Sequence, residues 1–236
     1  MTKSSLHLKV LVGLILAFAA SASAAVFTNV PTGPTTGLPF AYFGNAANPS
    51  GDSPKVGEVF ALTSAQSLSS FSFYALGNLS ASLQLNVAQW NSDTNAQNQA
   101  TNLVGPALLT TSAVTETFNS VGGFTTLNFS NLGLSLNANT KYIAYLTSTD
   151  PTLTGVQLSR TQTTQDSTGF GIGNGYFSPI PGNGWLLPFN GNGFLSLQYT
   201  AITSPVPEPS TYAVIIGAFA LGFVAFRRKQ QLARCG

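Results

Sequence analysis

Between residues 81 and 89 apolar and polar side chains alternate: Ala81, Leu83, Leu85 and Val87 are apolar, while Ser82, Gln84 and Asn86 are polar. Successive strand side chains point to opposite faces, so a period of two predicts a strand with one face buried and the other wet. The same period returns where Phe71 and Phe73 flank Ser72, Leu127 and Phe129 flank Asn128, and Val156 and Leu158 flank Gln157. It returns again where Leu195, Leu197 and Tyr199 alternate with Ser196 and Gln198. Runs at 58–62 and 141–147 alternate less cleanly and predict strands covered on both faces. Residues 25–53, rich in Gly, Pro, Thr and Asn, read as an irregular opening segment with one edge strand near Phe40 to Phe43. Polar stretches at 91–102 and 159–167 separate strands, and Gly77-Asn78 and Asn137-Ala138-Asn139 are expected turns. No helical stripe occurs between 25 and 204. Eight or so short strands imply an all-β fold, an antiparallel β-sandwich of jelly-roll type, because a single open sheet would leave its apolar face in water.

Both ends of the chain depart from this pattern. Lys3 and Lys9 precede an apolar stretch at 10–19 and the small residues Ala22-Ser23-Ala24. That is the pattern of a Sec signal peptide, a helix over 1–24 handled by the Sec translocon and cut by signal peptidase between Ala24 and Ala25. No lipobox cysteine follows the apolar stretch, so lipoprotein anchoring is not implied. At the other end, within residues 205–236, Val206-Pro207-Glu208-Pro209-Ser210-Thr211 precedes an apolar run at 212–226 and then Arg227-Arg228-Lys229. The two prolines hold Glu208 in an extended, accessible link. The apolar run reads as a single transmembrane helix with its basic stop in the cytoplasm, although fifteen residues rise only about 22 Å. Motif, short helix and basic stop together resemble the PEP-CTERM sorting signal of exported bacterial proteins. The resemblance covers 206–229 and implies an exosortase as partner, processing near Pro207-Glu208-Pro209. It also implies a route from an inner-membrane intermediate to the cell surface or extracellular matrix. More loosely, Gly57-Glu58-Val59-Phe60, Phe71-Ser72-Phe73-Tyr74, Val87-Ala88-Gln89-Trp90 and 140–146 resemble the jelly-roll ectodomains that accompany this signal.

Setting the two signals aside leaves one domain over 25–204, large enough to bury a core. It keeps Lys55, Lys141 and Arg160 against Asp52, Glu58, Asp93, Glu116, Asp150 and Asp166, so three cations less six carboxylates leave a formal charge of −3. The three cations stand far apart, which excludes the phosphate-neutralising patch that nucleic-acid binding needs. The sole histidine, His7, and the sole cysteine, Cys235, both lie in the signals. The domain therefore has no His- or Cys-based nucleophile, no His/Cys zinc or haem ligand and no internal disulfide.

Three groups of residues remain as site candidates. Gly173-Asn174-Gly175-Tyr176, Gly182-Asn183-Gly184-Trp185 and Gly191-Asn192-Gly193-Phe194 repeat every nine residues. Asn-Gly supplies the positive φ of tight turns, with the aromatics starting strands or plugging the core. The functional alternative is a loop presenting Tyr176 and Trp185 to sugar rings, with Asn174 and Asn183 as hydrogen-bonding partners. Asp93 and Asn95 beside Asn91, and Asp52 with Glu58, are weak candidates for a structural calcium; neither set has the ligands of a complete calcium loop, and no cofactor is expected. Trp90 ends a strand and is expected to plug the core. Asp93 with Glu116 would be the pair for two-carboxylate hydrolysis, but both fit solvated turns, so no catalytic residue is assigned. The sequence thus leads to an exported, non-enzymatic surface or matrix protein, with an exopolysaccharide-binding module as the alternative and a secreted carboxylate hydrolase as the third reading.

Overall fold

The computed structural model describes residues 24–30, 38–44, 53–76, 79–91, 103–118, 123–161, 175–178, 185, 196–206 and 209–232. Residues 24–204 form one compact unit; the helix and the outer ends belong to another. The unit is built from β1 (Ala25–Thr28), β2 (Leu38–Phe43), β3 (Lys55–Ala61), β4 (Gln66–Leu76), β5 (Ser80–Trp90), β6 (Leu103–Thr110), β7 (Val114–Thr117) and β8 (Thr125–Phe129). It continues with β9 (Leu134–Leu136), β10 (Lys141–Thr147), β11 (Val156–Thr161), β12 (Gly175–Ser178), β13 (Ser196–Leu197) and β14 (Tyr199–Pro205). An eight-stranded sheet runs in the order β1-β14-β4-β11-β13, with β2 on β11 and β8 and β9 on β4. A six-stranded sheet runs β12-β3-β10-β5-β6, with β7 also on β5. The all-β, sandwich-like character expected from the alternation is present.

The alternation decides which face is buried. On β5, Ala81, Leu83, Leu85 and Val87 are all sealed from water, and they share one core with Phe71, Phe73, Leu127, Phe129, Leu158 and Leu197 of the larger sheet. Phe60 from the small sheet and Phe71 from the large one meet across that core at 5.8 Å between ring centroids, and Phe71 stacks on Tyr199 at 5.4 Å. Burying each such side chain contributes about 1.5–3 kcal/mol of transfer free energy. Asn139, in the turn before β10, takes φ 54°, a left-handed conformation that Asn tolerates.

Several expectations are corrected. The opening segment holds two strands, since β1 pairs with β14 from Ala25 opposite Thr203 to Thr28 opposite Thr200. Polar Ser159 and Arg160 lie inside β11 rather than in a separator. β6, β7 and β9 were not foreseen. Gly77-Asn78 and residues 92–102 lie outside the described residues, as does the expected signal-peptide helix up to Ser23.

In the second unit the C-terminal run forms α1 (Pro209–Leu232), which takes in Ser210, Thr211, Arg227, Arg228 and Lys229. The expected transmembrane helix is corrected: among the described residues no helix is long and apolar enough to cross a membrane. The physical reason is that the apolar stretch spans only fifteen of the helix's twenty-four residues, whereas a bilayer needs about 20. The remaining turns are polar or cationic, and the Arg227 guanidinium lies 5.1 Å from the centre of the Phe223 ring.

Candidate functional site

β3 and β10 are covered on both faces, as their sequences imply, and each face carries its own arrangement. Even-numbered residues of β3 and β10 face the main core; Val59, Ile143 and Tyr145 face outward. There they join Ala88, Trp90 and Trp185 in a second buried cluster, with Leu103 against it. Tyr145 and Trp90 meet Trp185 edge-on, at 5.2 Å and 73° and at 6.0 Å and 75°. Aromatic pairs favour this geometry because the electropositive edge of one ring meets the electronegative face of another. Burial pushes the Tyr145 phenol above its ordinary pKa.

Trp185 is only 4% exposed. Its place in the buried cluster agrees with the reading of the repeat's aromatics as plugs and leaves no open platform for the sugar-ring alternative at this position. Trp90 is the expected plug, although in this outer cluster. The backbone of Tyr176 pairs with Gly57, and Asn174 and Asn183 lie outside the described residues.

Beside the aromatics on the same face stands a polar row. Asn86 donates from Nδ2 to Thr147 Oγ1 at 2.9 Å and accepts at Oδ1 from the Thr110 hydroxyl at 2.7 Å, tying β5 to β10 and β6. Ser80 bonds Thr117 and Ser82 bonds Thr115, continuing the row onto β7. Asn86→Ala strands both hydroxyls beside a buried position, so it is expected to cost about 1–3 kcal/mol, read as a lowered midpoint in urea.

The inner face holds Glu58, a carboxyl among Val56, Phe60 and the rest of the core, 1% exposed. Its Oε2 accepts the Leu197 N–H at 2.8 Å, and its Oε1 lies 2.6 Å from Ser196 Oγ. Asn29 closes the network. Its Nδ2 donates to Ser196 Oγ at 3.0 Å and to the Leu197 carbonyl at 2.7 Å, while its Oδ1 accepts the Tyr199 N–H at 2.8 Å. Desolvation pushes the Glu58 pKa up to about 8 against the opposing effect of the bonds from Ser196 and Leu197. Near neutral pH the carboxyl therefore favours its protonated form, while the Ser196 hydroxyl donates to Oε1 and the Leu197 amide to Oε2. The weak calcium pairing of Glu58 with Asp52 is corrected: both Glu58 oxygens are engaged inside the sandwich, and Asp52 lies outside the described residues.

Asp93 and Asn95 also lie outside them, and among the described residues no group of three potential ligands could hold a metal. Asp150 is engaged locally, its Oδ1 accepting from the Thr152 hydroxyl and amide at 2.7 and 2.8 Å, which holds its carboxyl below the usual range. Glu116 sits on β7 opposite Ala81, apart from Glu58 in the fold. Of the processing residues, Ala24 is exposed, Ala25 starts β1, and Val206 is 36% exposed at the end of the sheet, while Ala22, Pro207 and Glu208 lie outside the described residues.

The Glu58 network had one legible signal, a carboxylate inside the run Val56-Gly57-Glu58-Val59-Phe60, where a strand covered on both faces must give the acid a partner. The chain matches no protein-family model, no curated protein and no solved structure.

Proposed function

We propose that this chain is an exported, non-enzymatic β-sandwich protein of the bacterial surface or extracellular polysaccharide matrix. In this reading the sandwich is of jelly-roll type, the Sec pathway exports it, and an exosortase acts on Val206 to Thr211. The observation that carries the proposal is the coincidence of the folded unit, 24–204, with the interval between the two processing signals. Its first and last strands pair with each other, Ala25 opposite Thr203, so cuts after Ala24 and near Pro207-Glu208-Pro209 leave every strand whole. A structural role is further supported by the carboxyls: Glu58 is sealed within the core and Asp150 is bound to its own turn.

The test is genetic. In cells lacking the exosortase, or in a variant with Pro207, Glu208 and Pro209 all replaced by Ala, the protein is expected to retain its C-terminal helix and to fail to reach the surface. Unchanged processing and release in both strains would refute the sorting assignment.

A further inference from the structure

Among the buried groups, Glu58 alone joins the two sheets through an ionisable side chain whose bonding partners are uncharged among the described residues. β13 is an edge strand of two residues, paired to β11 only through Arg160 opposite Leu197 and Thr161 opposite Ser196. Its other edge turns toward β3, where the Leu197 N–H would stay unpaired without the Glu58 carboxyl. We propose that this contact is a proton-operated latch: the protonated carboxyl holds β13 of the large sheet on β3 of the small one, and loss of the proton releases β13 and opens that end of the sandwich.

The surroundings explain why charge would open it. On β3 itself Lys55 alternates onto the outer face, as does Lys141 on β10, while Tyr142 shares the inner face opposite Phe60. β12 brings Tyr176 opposite Gly57, β14 brings Tyr199, and β11 brings Arg160 opposite Leu197. Arg160 Nε is buried without a hydrogen-bond partner among the described residues, and the Glu58 oxygens bond the Ser196 hydroxyl and the Leu197 amide instead of a cation. A carboxylate so placed loses its hydration with no opposite charge to offset the loss. The least anchored element within reach is β13, so water is admitted there first, and Asn29, which bonds Ser196 and Leu197, moves with it.

Amide hydrogen exchange of the full chain, corrected for the intrinsic effect of pH, reads the latch at the Leu197 amide itself. Protection there is expected to be lower than at Leu85 and Phe73 of the central strands, which open only with the whole fold, and to fall on the order of 50-fold between pH 6 and pH 8. In Glu58→Gln the Leu197 protection is expected to stay level over the same range. A pH-independent Leu197 amide in the wild type, or an equal fall in E58Q, overturns the latch. Should E58Q not fold, the carboxyl carbon shift of Glu58 in the wild-type chain decides: a midpoint coinciding with the loss of protection supports the latch, and a midpoint below pH 6 overturns it.

Discussion

Replacing Glu58 by Gln is expected to leave the sandwich more stable than the wild type at pH 9, by about 5 kcal/mol. Gln keeps the shape, accepts the Leu197 N–H and donates to Ser196 Oγ, yet it has no proton to lose. The sign follows from the two states. In the unfolded chain the carboxyl titrates near the ordinary 4.5, and in the fold near 8. Between these values the folded chain holds a proton that the unfolded chain has released. The stabilising contribution is therefore complete below the unfolded value and declines as pH rises toward 8. Urea denaturation of the two full chains from pH 5 to pH 9 checks it: a falling curve for the wild type and a flat one for E58Q. Parallel curves would mean that Glu58 titrates in the fold as it does in water. Glu58→Ala makes a poor substitute, because it adds a cavity and unpairs the Leu197 amide.

Gly57→Ala is expected to cost at least about 4 kcal/mol and to leave little folded protein at 37 °C. A Cβ at Gly57 would lie 2.5 Å from the Ala144 carbonyl oxygen, 2.5 Å from Tyr145 Cβ and 2.9 Å from Tyr145 Cα. Facing residues on paired strands ordinarily keep their Cβ atoms about 4.5–5.5 Å apart. Relief would require separating β3 from β10, which breaks the ladder between the main core and the outer aromatic cluster at once. Gly105→Ala is the control: Gly105 has φ 75° but open space around its Cβ position, so it carries only the backbone penalty of about 1 kcal/mol. Thermal unfolding of both variants followed by circular dichroism separates close approach from backbone strain.

The strands that anchor the sandwich could be read from the chain because their period of two is directly the burial pattern. β5 shows this from Ala81 to Val87, and β3 and β10 showed double coverage because apolar residues occupy both phases of the strand. The elements that escaped did so for identifiable reasons. β6 contains Gly105 and Pro106, which interrupt the period of two; both fit an edge strand, where the register shifts. β1 is four residues long and gains its stability from β14, about 170 residues away in sequence, which no local window reports.

The site was hidden more deeply. Ser196 and Gln198 occupy the polar phase of an alternating run and look solvent-facing, yet both are buried because Glu58 and Ser159 bond them, the Ser159 hydroxyl reaching Gln198 Oε1 at 2.6 Å. Trp185 belongs to a Gly-Asn-Gly repeat that reads as turns, and only the fold places it on Tyr145 and Trp90. Polarity in the sequence marked where hydrogen bonds are needed; the partners, 39 residues away for Gln198 and 138 for Ser196, were supplied by the packing of the strands.

The proposed function rests on the folded unit being what remains after two cuts, so the intact mass of the mature protein recovered from the producing cell tests it most directly. The mature chain is expected to start at Ala25 and to end between Pro205 and Thr211, without the part of α1 that follows Thr211. A mature chain that still carries residues before Ala25, or the whole of α1, would contradict it.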